Sequence, residues 1–208
     1  MREIIFDIDG TLWDSRQVVA DAWNQVVLAR TGHHPGHTGE SVGHLFGRTM
    51  TDIARRLFPD LPPEERDALA GACFRAENEA LERTPGKFYP GVLETISQLA
   101  RRQPLYIASN CQAGYIELVL RHSGLRDCFS GWICFDDTGL SKGENLRLLI
   151  ERHRMDRPIY VGDTQGDWEA CQAAGIPMIF AAYGLGKVEA PLPTIRQFSE
   201  LLTLPEAQ

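Results

Sequence analysis

The sequence predicts an α/β fold, a doubly wound and mostly parallel sheet interrupted early by an all-helical insert, and three observations carry that expectation. Five short β-rich runs, "EIIF", "LYIAS", "WICF", "IYVGD" and "PMIFAA", punctuate the chain. Helical stretches starting near Gly91, Gln112, Gly143 and Gln165 separate the later runs, as in repeated strand–helix–strand units. Between about residues 15 and 87 the strand signal stops and the period is helical throughout.

Taken in order, "EIIF" brings the apolar run Ile4, Ile5 and Phe6 up to Asp7, which suits a strand covered on both faces. "RQVVADAWNQVVLAR" follows with Val19, Trp23, Val26 and Val27 at helical spacing behind the caps Asp14 and Ser15. "TMTDIARRLF" and "PPEERDALAGACFRAENEALER" are the next helices, the second opened by proline as helix starts favour. "TGHHPGHTGE" reads as a surface loop within the insert, its histidines lacking cysteine or acidic partners at metal-ligand spacing, and "RTPGKFYPG" as a hinge. The tail segment "TIRQFSELL" reads as one short helix. Expected boundaries are 1–14 and 88–208 for the α/β core and 15–87 for the helical domain.

The chain has 208 residues and 43% hydrophobic content, enough for one sizeable core but not for two ordinary domains. A formal charge of −7 argues against nucleic-acid binding, which needs a surplus of Lys and Arg. Without a run of 18 apolar residues no membrane span is expected, and the strand-like start is not a signal peptide. Five scattered cysteines without a Cys-x-x-Cys pair read as reduced thiols, so a cytoplasmic protein is expected, monomeric or homodimeric.

Open parallel sheets bind ligands beyond the carboxyl ends of their strands. There the first run ends in Asp7 and Asp9, followed by Gly10 and Thr11; the second ends in Ser109 and Asn110; the fourth ends in Asp163, with Asp167 one helical turn on. Lys142 is expected in a loop before the helix "GENLRLLIERH". Two carboxylates one residue apart repel each other, and burial penalises both. Hard oxygen donors converging in this way suit Mg²⁺, which binds through a few carboxylates plus waters and phosphate oxygens.

"DIDGT", "IASN", Lys142 and "GDTQGD" resemble, in order and spacing, the four motifs of the haloacid dehalogenase superfamily in its phosphatase form. The resemblance implies a Rossmann-like core with a helical cap inserted after the first motif, as in the subfamily of phosphoglycolate phosphatases, bacterial pyrophosphatases and β-phosphoglucomutases. It implies Asp7 as nucleophile, forming an aspartyl-phosphate. Asp9 is then the general acid and base, its backbone carbonyl a further metal ligand, while Lys142 offsets the charge of Asp7 and the phosphoryl group. Ser109, Asn110 and Gly10 would hold phosphoryl oxygens, with Asp163 and Asp167 at the metal alongside Asp7. Lys-Gly stands at 142–143 where many members have Lys-Pro, a departure that touches loop rigidity more than charge.

Substrate contacts from the insert side fall to Trp13, Trp23, Arg48, Arg55 and Arg56. Arg48 is the one favoured for an anionic leaving group because a guanidinium matches carboxylate or phosphate in a bidentate manner, Trp13 is expected at the entrance, and Trp23 reads as packing. The resulting expectation is a Mg²⁺-dependent phosphatase acting on a small phosphorylated metabolite similar to phosphoglycolate, with a phosphosugar mutase or a pyrophosphatase as alternatives. Dehalogenation is disfavoured by the presence of Asp9, and phosphonate cleavage by the absence of any lysine from residues 15 to 85. A phospho-receiver module is disfavoured by the helical insert.

Overall fold

A computed structural model describes residues 2–207. The chain runs through β1 (Glu3–Phe6), β2 (Trp13–Asp14), the helices α1 (Arg16–Thr31), α2 (Gly39–Gly43), α3 (Met50–Leu57) and α4 (Pro63–Arg83), then β3 (Lys87–Phe88). It continues through α5 (Val92–Ala100), β4 (Leu105–Ser109), α6 (Tyr115–Ser123), β5 (Gly131–Cys134), α7 (Phe135–Thr138) and α8 (Lys142–His153). The last elements are β6 (Pro158–Gly162), α9 (Gln165–Ala174), β7 (Met178–Ala181) and β8 (Thr194–Ile195).

Six strands form a parallel sheet in the order β5-β4-β1-β6-β7-β8. The chain winds outward from β1 through β4 to β5, then returns to the other side of β1 with β6. This reversal opens a crevice at the carboxyl end of β1, where such sheets bind ligands. Strand β1 is aliphatic because it lies under helices on both faces. Ile4 and Phe6 join the cluster that extends into the insert, whereas Ile5 joins the one formed with Leu146, Leu149 and Cys171 from α8 and α9.

The insert is held to the sheet by a two-stranded antiparallel ribbon, in which Trp13 faces Phe88 and Asp14 faces Lys87. Within the insert α1 packs along α4, and the rings of Trp23 and Phe74 meet edge-on at 6.0 Å. Among the described residues no helix is long and apolar enough to cross a membrane.

Four local expectations are corrected. "TIRQFSELL" is not one helix: β8 adds to the sheet edge through Phe180 N–H to Pro193 O and Ala182 N–H to Ile195 O, and a 3₁₀ turn over Phe198–Leu202 buries Phe198 and Leu201. Helix α6 begins at Tyr115 rather than near Gln112, since Gly114 at φ +82° is left-handed and interrupts helical geometry. Ser15 does not cap α1; its hydroxyl is engaged elsewhere, and Asp14 accepts from the Arg16 amide and guanidinium instead. Lys142 is not in a loop but is the first residue of α8, behind a capping box of Ser141 and Glu144.

Candidate active site

Asp7 follows β1 directly, its amide donating to Val161 O at 2.9 Å, so the carboxylate is fixed by the sheet itself. Lys142 Nζ donates to Asp7 Oδ1 at 2.8 Å and to Asp167 Oδ1 at 2.5 Å. A lysine in the first turn of a helix opposes the helix dipole, so its position is maintained by these two carboxylates rather than by α8. The Tyr160 hydroxyl donates to Ala108 O at 3.0 Å and lies 3.3 Å from one oxygen of each carboxylate.

Asp167 divides its two oxygens. Oδ2 completes the capping box of α9, accepting from Thr164 Oγ1 at 2.7 Å and from the Thr164 and Asp163 amides, while Oδ1 faces Lys142. Asp163 is held by the loop after β7: Leu185 and Gly186 amides donate to Oδ2 at 2.7 and 3.1 Å. Gly10, at φ +86°, presses its Cα face against the Asp163 carboxylate, which any Cβ there would overlap.

Asp7, Asp163 and Asp167 bring carboxylate oxygens within 4.8 Å of one another. Burial raises the Asp7 carboxyl well above its ordinary value, with Lys142 opposing and the two other aspartates adding to the rise. Asp163 is pushed up to about 7, first by burial and then by Asp167, despite the Leu185 and Gly186 amides. In Asp167 burial is outweighed by Lys142 and the Thr164 bonds, and its carboxyl stays below the ordinary value. Lys142 is raised, since Asp167 and Asp7 more than offset its burial. Fully ionised, the three buried carboxylates against one ammonium would leave two negative charges in excess, a repulsion that adds to burial in raising Asp7 and Asp163 when no cation is bound. That oxygen donor set and charge fit a hard divalent cation such as Mg²⁺.

Asp9 has different neighbours. Tyr115 OH and Ser15 Oγ both donate to its Oδ1, at 2.7 and 2.9 Å, and Trp13 Nε1 in turn donates to the Tyr115 oxygen at 3.2 Å. Burial lifts Asp9 to about 6, with the Tyr115, Ser15 and Trp13 bonds pulling the other way.

Asp7, Asp9, Ser109, Asn110 and Arg48 line one cavity of about 40 Å³ between the strand ends and the insert, together with Glu77, Gln112 and Tyr115. Asn110 Nδ2 donates to the Gly47 carbonyl of the insert at 2.8 Å, bridging the two parts of the chain. Arg48 is exposed and sits at the cavity's rim. Trp13 is corrected: it is wholly buried, packs on Phe88 and Tyr115, and lines no entrance. Gly10 lies under Asp163 rather than on the cavity wall.

Trp23 packs, as its spacing suggests, but its indole also donates to Glu77 Oε2 at 2.9 Å. Residue type alone does not single out Tyr115, Tyr160, Gln112 or Glu77, and Ser15 reads from the sequence only as a helix cap. For Glu77 a signal existed: it falls on the buried stripe of α4 with Cys73 and Leu81, whereas Glu79 and Glu82 are exposed.

A family profile described as haloacid dehalogenase-like hydrolase matches residues 4–181. The chain is 28% identical to the phosphoglycolate phosphatase of Photorhabdus laumondii, the match covering 98% of this chain and 92% of that protein. It is 27% identical to the phosphoglycolate phosphatase of Rhodobacter capsulatus, covering 97% and 94%. Among solved structures, a Bacteroides fragilis protein described as a haloacid dehalogenase-like hydrolase superposes with a TM-score of 0.84 at 20% identity, over 96% of this chain and 98% of that one.

Proposed function

Since the chain belongs to the haloacid dehalogenase-like hydrolases and is a phosphatase of that family, we propose that it hydrolyses a small phosphomonoester through an aspartyl-phosphate on Asp7, with Mg²⁺ as cofactor. One observation carries this reading. Asp7, charge-paired from behind by Lys142, and Asp9, bonded only to neutral groups, face the same cavity with the hydroxyl of Ser109 and the amide of Asn110.

In the first step an Asp7 oxygen attacks phosphorus as the ester P–O bond breaks, and Asp9 gives its proton to the leaving alkoxide. In the second, Asp9 takes a proton from the water that attacks the aspartyl-phosphate, releasing inorganic phosphate and restoring both carboxyls. A carboxyl near 6 suits both directions of transfer at neutral pH. Lys142 keeps Asp7 positioned and offsets its charge, while Ser109 and Asn110 hold phosphoryl oxygens. Asp7, Asp163 and the Asp9 carbonyl would hold Mg²⁺, with Asp167 beside them directly or through water. Bound there, the ion supplies the positive charge that three carboxylates and a phosphoryl group together require.

Residues 15–87 act in this reading as a cap that excludes bulk water and large substrates. Five free thiols suit a cytoplasmic location. The test is phosphate release from a panel of phosphoglycolate, sugar phosphates, nucleoside monophosphates and pyrophosphate, with Mg²⁺ or EDTA. Metal-dependent release from a small ester, lost in Asp7→Asn, is expected; EDTA-insensitive release, or release that survives Asp7→Asn, refutes the mechanism.

A further inference from the structure

Glu77 is a buried carboxyl on the cavity wall that the proposed chemistry does not use. It is 6% exposed, and its two oxygens each accept one bond from a neutral donor, Gln112 Nε2 at 3.0 Å and Trp23 Nε1 at 2.9 Å. A carboxylate oxygen has room for two donors, so each keeps one vacant acceptor position. Among the described residues no cation pairs with it: the cationic side chain among those lining the cavity, Arg48, is exposed at the rim with its Nε directed to the His44 carbonyl at 3.5 Å. A carboxyl buried with only neutral partners is costly to the fold, and an uncharged amide at the same place would meet the indole equally well. Its position therefore asks for a ligand that uses it.

With Asp7 and Asp9 at the chemical end of the cavity, the leaving group of an ester bound there must extend past Asp9 toward the insert, where Glu77 lies. We propose that Glu77 determines specificity, accepting a hydrogen bond from a hydroxyl carried by the leaving group and disfavouring leaving groups that carry a carboxylate. The substrate class is then the phosphomonoesters of short hydroxylated alcohols, of the size of phosphoglycolate but without its acid. This rests on the phosphatase reading above.

The charged and titratable groups around Glu77 are Asp9 across the cavity, Tyr115 beside it, Cys73 one turn back on α4 and Arg48 at the rim; Trp23 from α1 and Gln112 before α6 are neutral. Burial places the Glu77 carboxyl at about 8, so above that pH it is ionised and can no longer share a proton with a second carboxylate.

The experiment compares 2-hydroxyethyl phosphate with phosphoglycolate, which differ only in CH₂OH against COO⁻, at pH 6.5 and pH 9. In the unaltered protein kcat/KM for the hydroxyl ester is expected to exceed that for the acid about tenfold or more, the ratio widening with pH and residing mainly in KM. Glu77→Gln, which keeps shape and one acceptor oxygen, is expected to narrow the ratio at pH 9 to about threefold or less. Preference of the unaltered protein for phosphoglycolate, or a ratio unmoved by Glu77→Gln, overturns the assignment. The pH dependence in the unaltered protein decides the matter if the variant fails to fold. Turnover of neither ester, nor of any compound of the panel above, refutes the phosphatase reading instead; calorimetric affinities of the two esters for the unaltered protein then make the same comparison, and equal affinities overturn the role of Glu77.

Discussion

Asp7 and Asp9 stand two residues apart, yet the chain surrounds them with opposite materials. Around Asp7 the groups are charged and come from the sheet and its helices: Lys142, Asp163 and Asp167, joined by one tyrosine hydroxyl. Around Asp9 they are neutral hydroxyls from the start of the insert and from α6. Strand alternation alone would put residues two apart on one face, but β1 ends at Phe6 and the chain turns at Ile8, whose carbonyl accepts from the Thr11, Leu12 and Trp13 amides, so Asp9 is carried toward the insert while Asp7 stays with the sheet. A nucleophile needs its negative charge retained, and an acid–base group needs a proton it can both release and recover. In the proposed mechanism Lys142 and a bound cation would supply the first, against the burial and neighbouring aspartates that raise the Asp7 carboxyl, and the neutral hydroxyls around Asp9 would supply the second.

Removing either carboxylate tests that division most severely. Asp7→Asn is expected to lower phosphate release by about 10⁴-fold or more for every substrate, because no variant side chain there replaces the attacking oxygen. Asp9→Asn is expected to cost about 10²- to 10⁴-fold on alkyl phosphates and markedly less on p-nitrophenyl phosphate, whose leaving group needs no proton. Equal losses on both esters would break the distinction, since Asp9 would then not be acting through the leaving oxygen.

Smaller changes sharpen it. Tyr115→Phe removes one hydroxyl from Asp9 and leaves the Asp7 side intact; kcat on alkyl phosphates should fall roughly tenfold, the worth of one hydrogen bond to an ionised group. An equal fall on p-nitrophenyl phosphate would place the effect outside proton transfer.

The smallest effect is on stability. Folding raises Glu77 from 4.5 to about 8, so the native protein retains a proton that the unfolded chain releases. The stability this group contributes is complete below about pH 4.5 and is lost as pH rises through about 8. Melting temperatures of Glu77→Gln and the unaltered protein should therefore diverge in favour of the variant between pH 5 and pH 8.5, and a constant difference would show that Glu77 is charged throughout.

The sequence disclosed the Asp7 side more fully than the Asp9 side, for a physical reason. Asp7 and Asp9, Ser109 and Asn110, and Asp163 and Asp167 are polar residues at the ends of apolar runs, so each pair stands out locally and a parallel sheet brings all three to one rim. Lys142 was visible as a residue but not as a helix start, because Ser141 with Glu144 is a cap whose first position happens to be lysine. Tyr115, Tyr160 and Trp13 occupy apolar stripes, where an aromatic side chain is ordinarily packing; only their hydroxyl or indole contacts show the rest. Ser15 has the position of a helix cap and is diverted by Asp9, a partner that only the tertiary fold brings near.

The central place of β1 has a consequence for how the protein is made. This strand leaves the ribosome before its two neighbours, β4 and β6, which are translated roughly 100 and 155 residues later. At about 5–20 residues per second, the aliphatic strand bearing Asp7 waits on the order of 5–20 s for its first partner and longer for its second. Meanwhile α1 to α4, whose contacts are closer in sequence, are free to assemble. The earliest-made strand of this sheet is thus among the last to be sheltered, and synthesis interrupted before β6 leaves a sticky, unpaired strand edge beside a finished helical bundle.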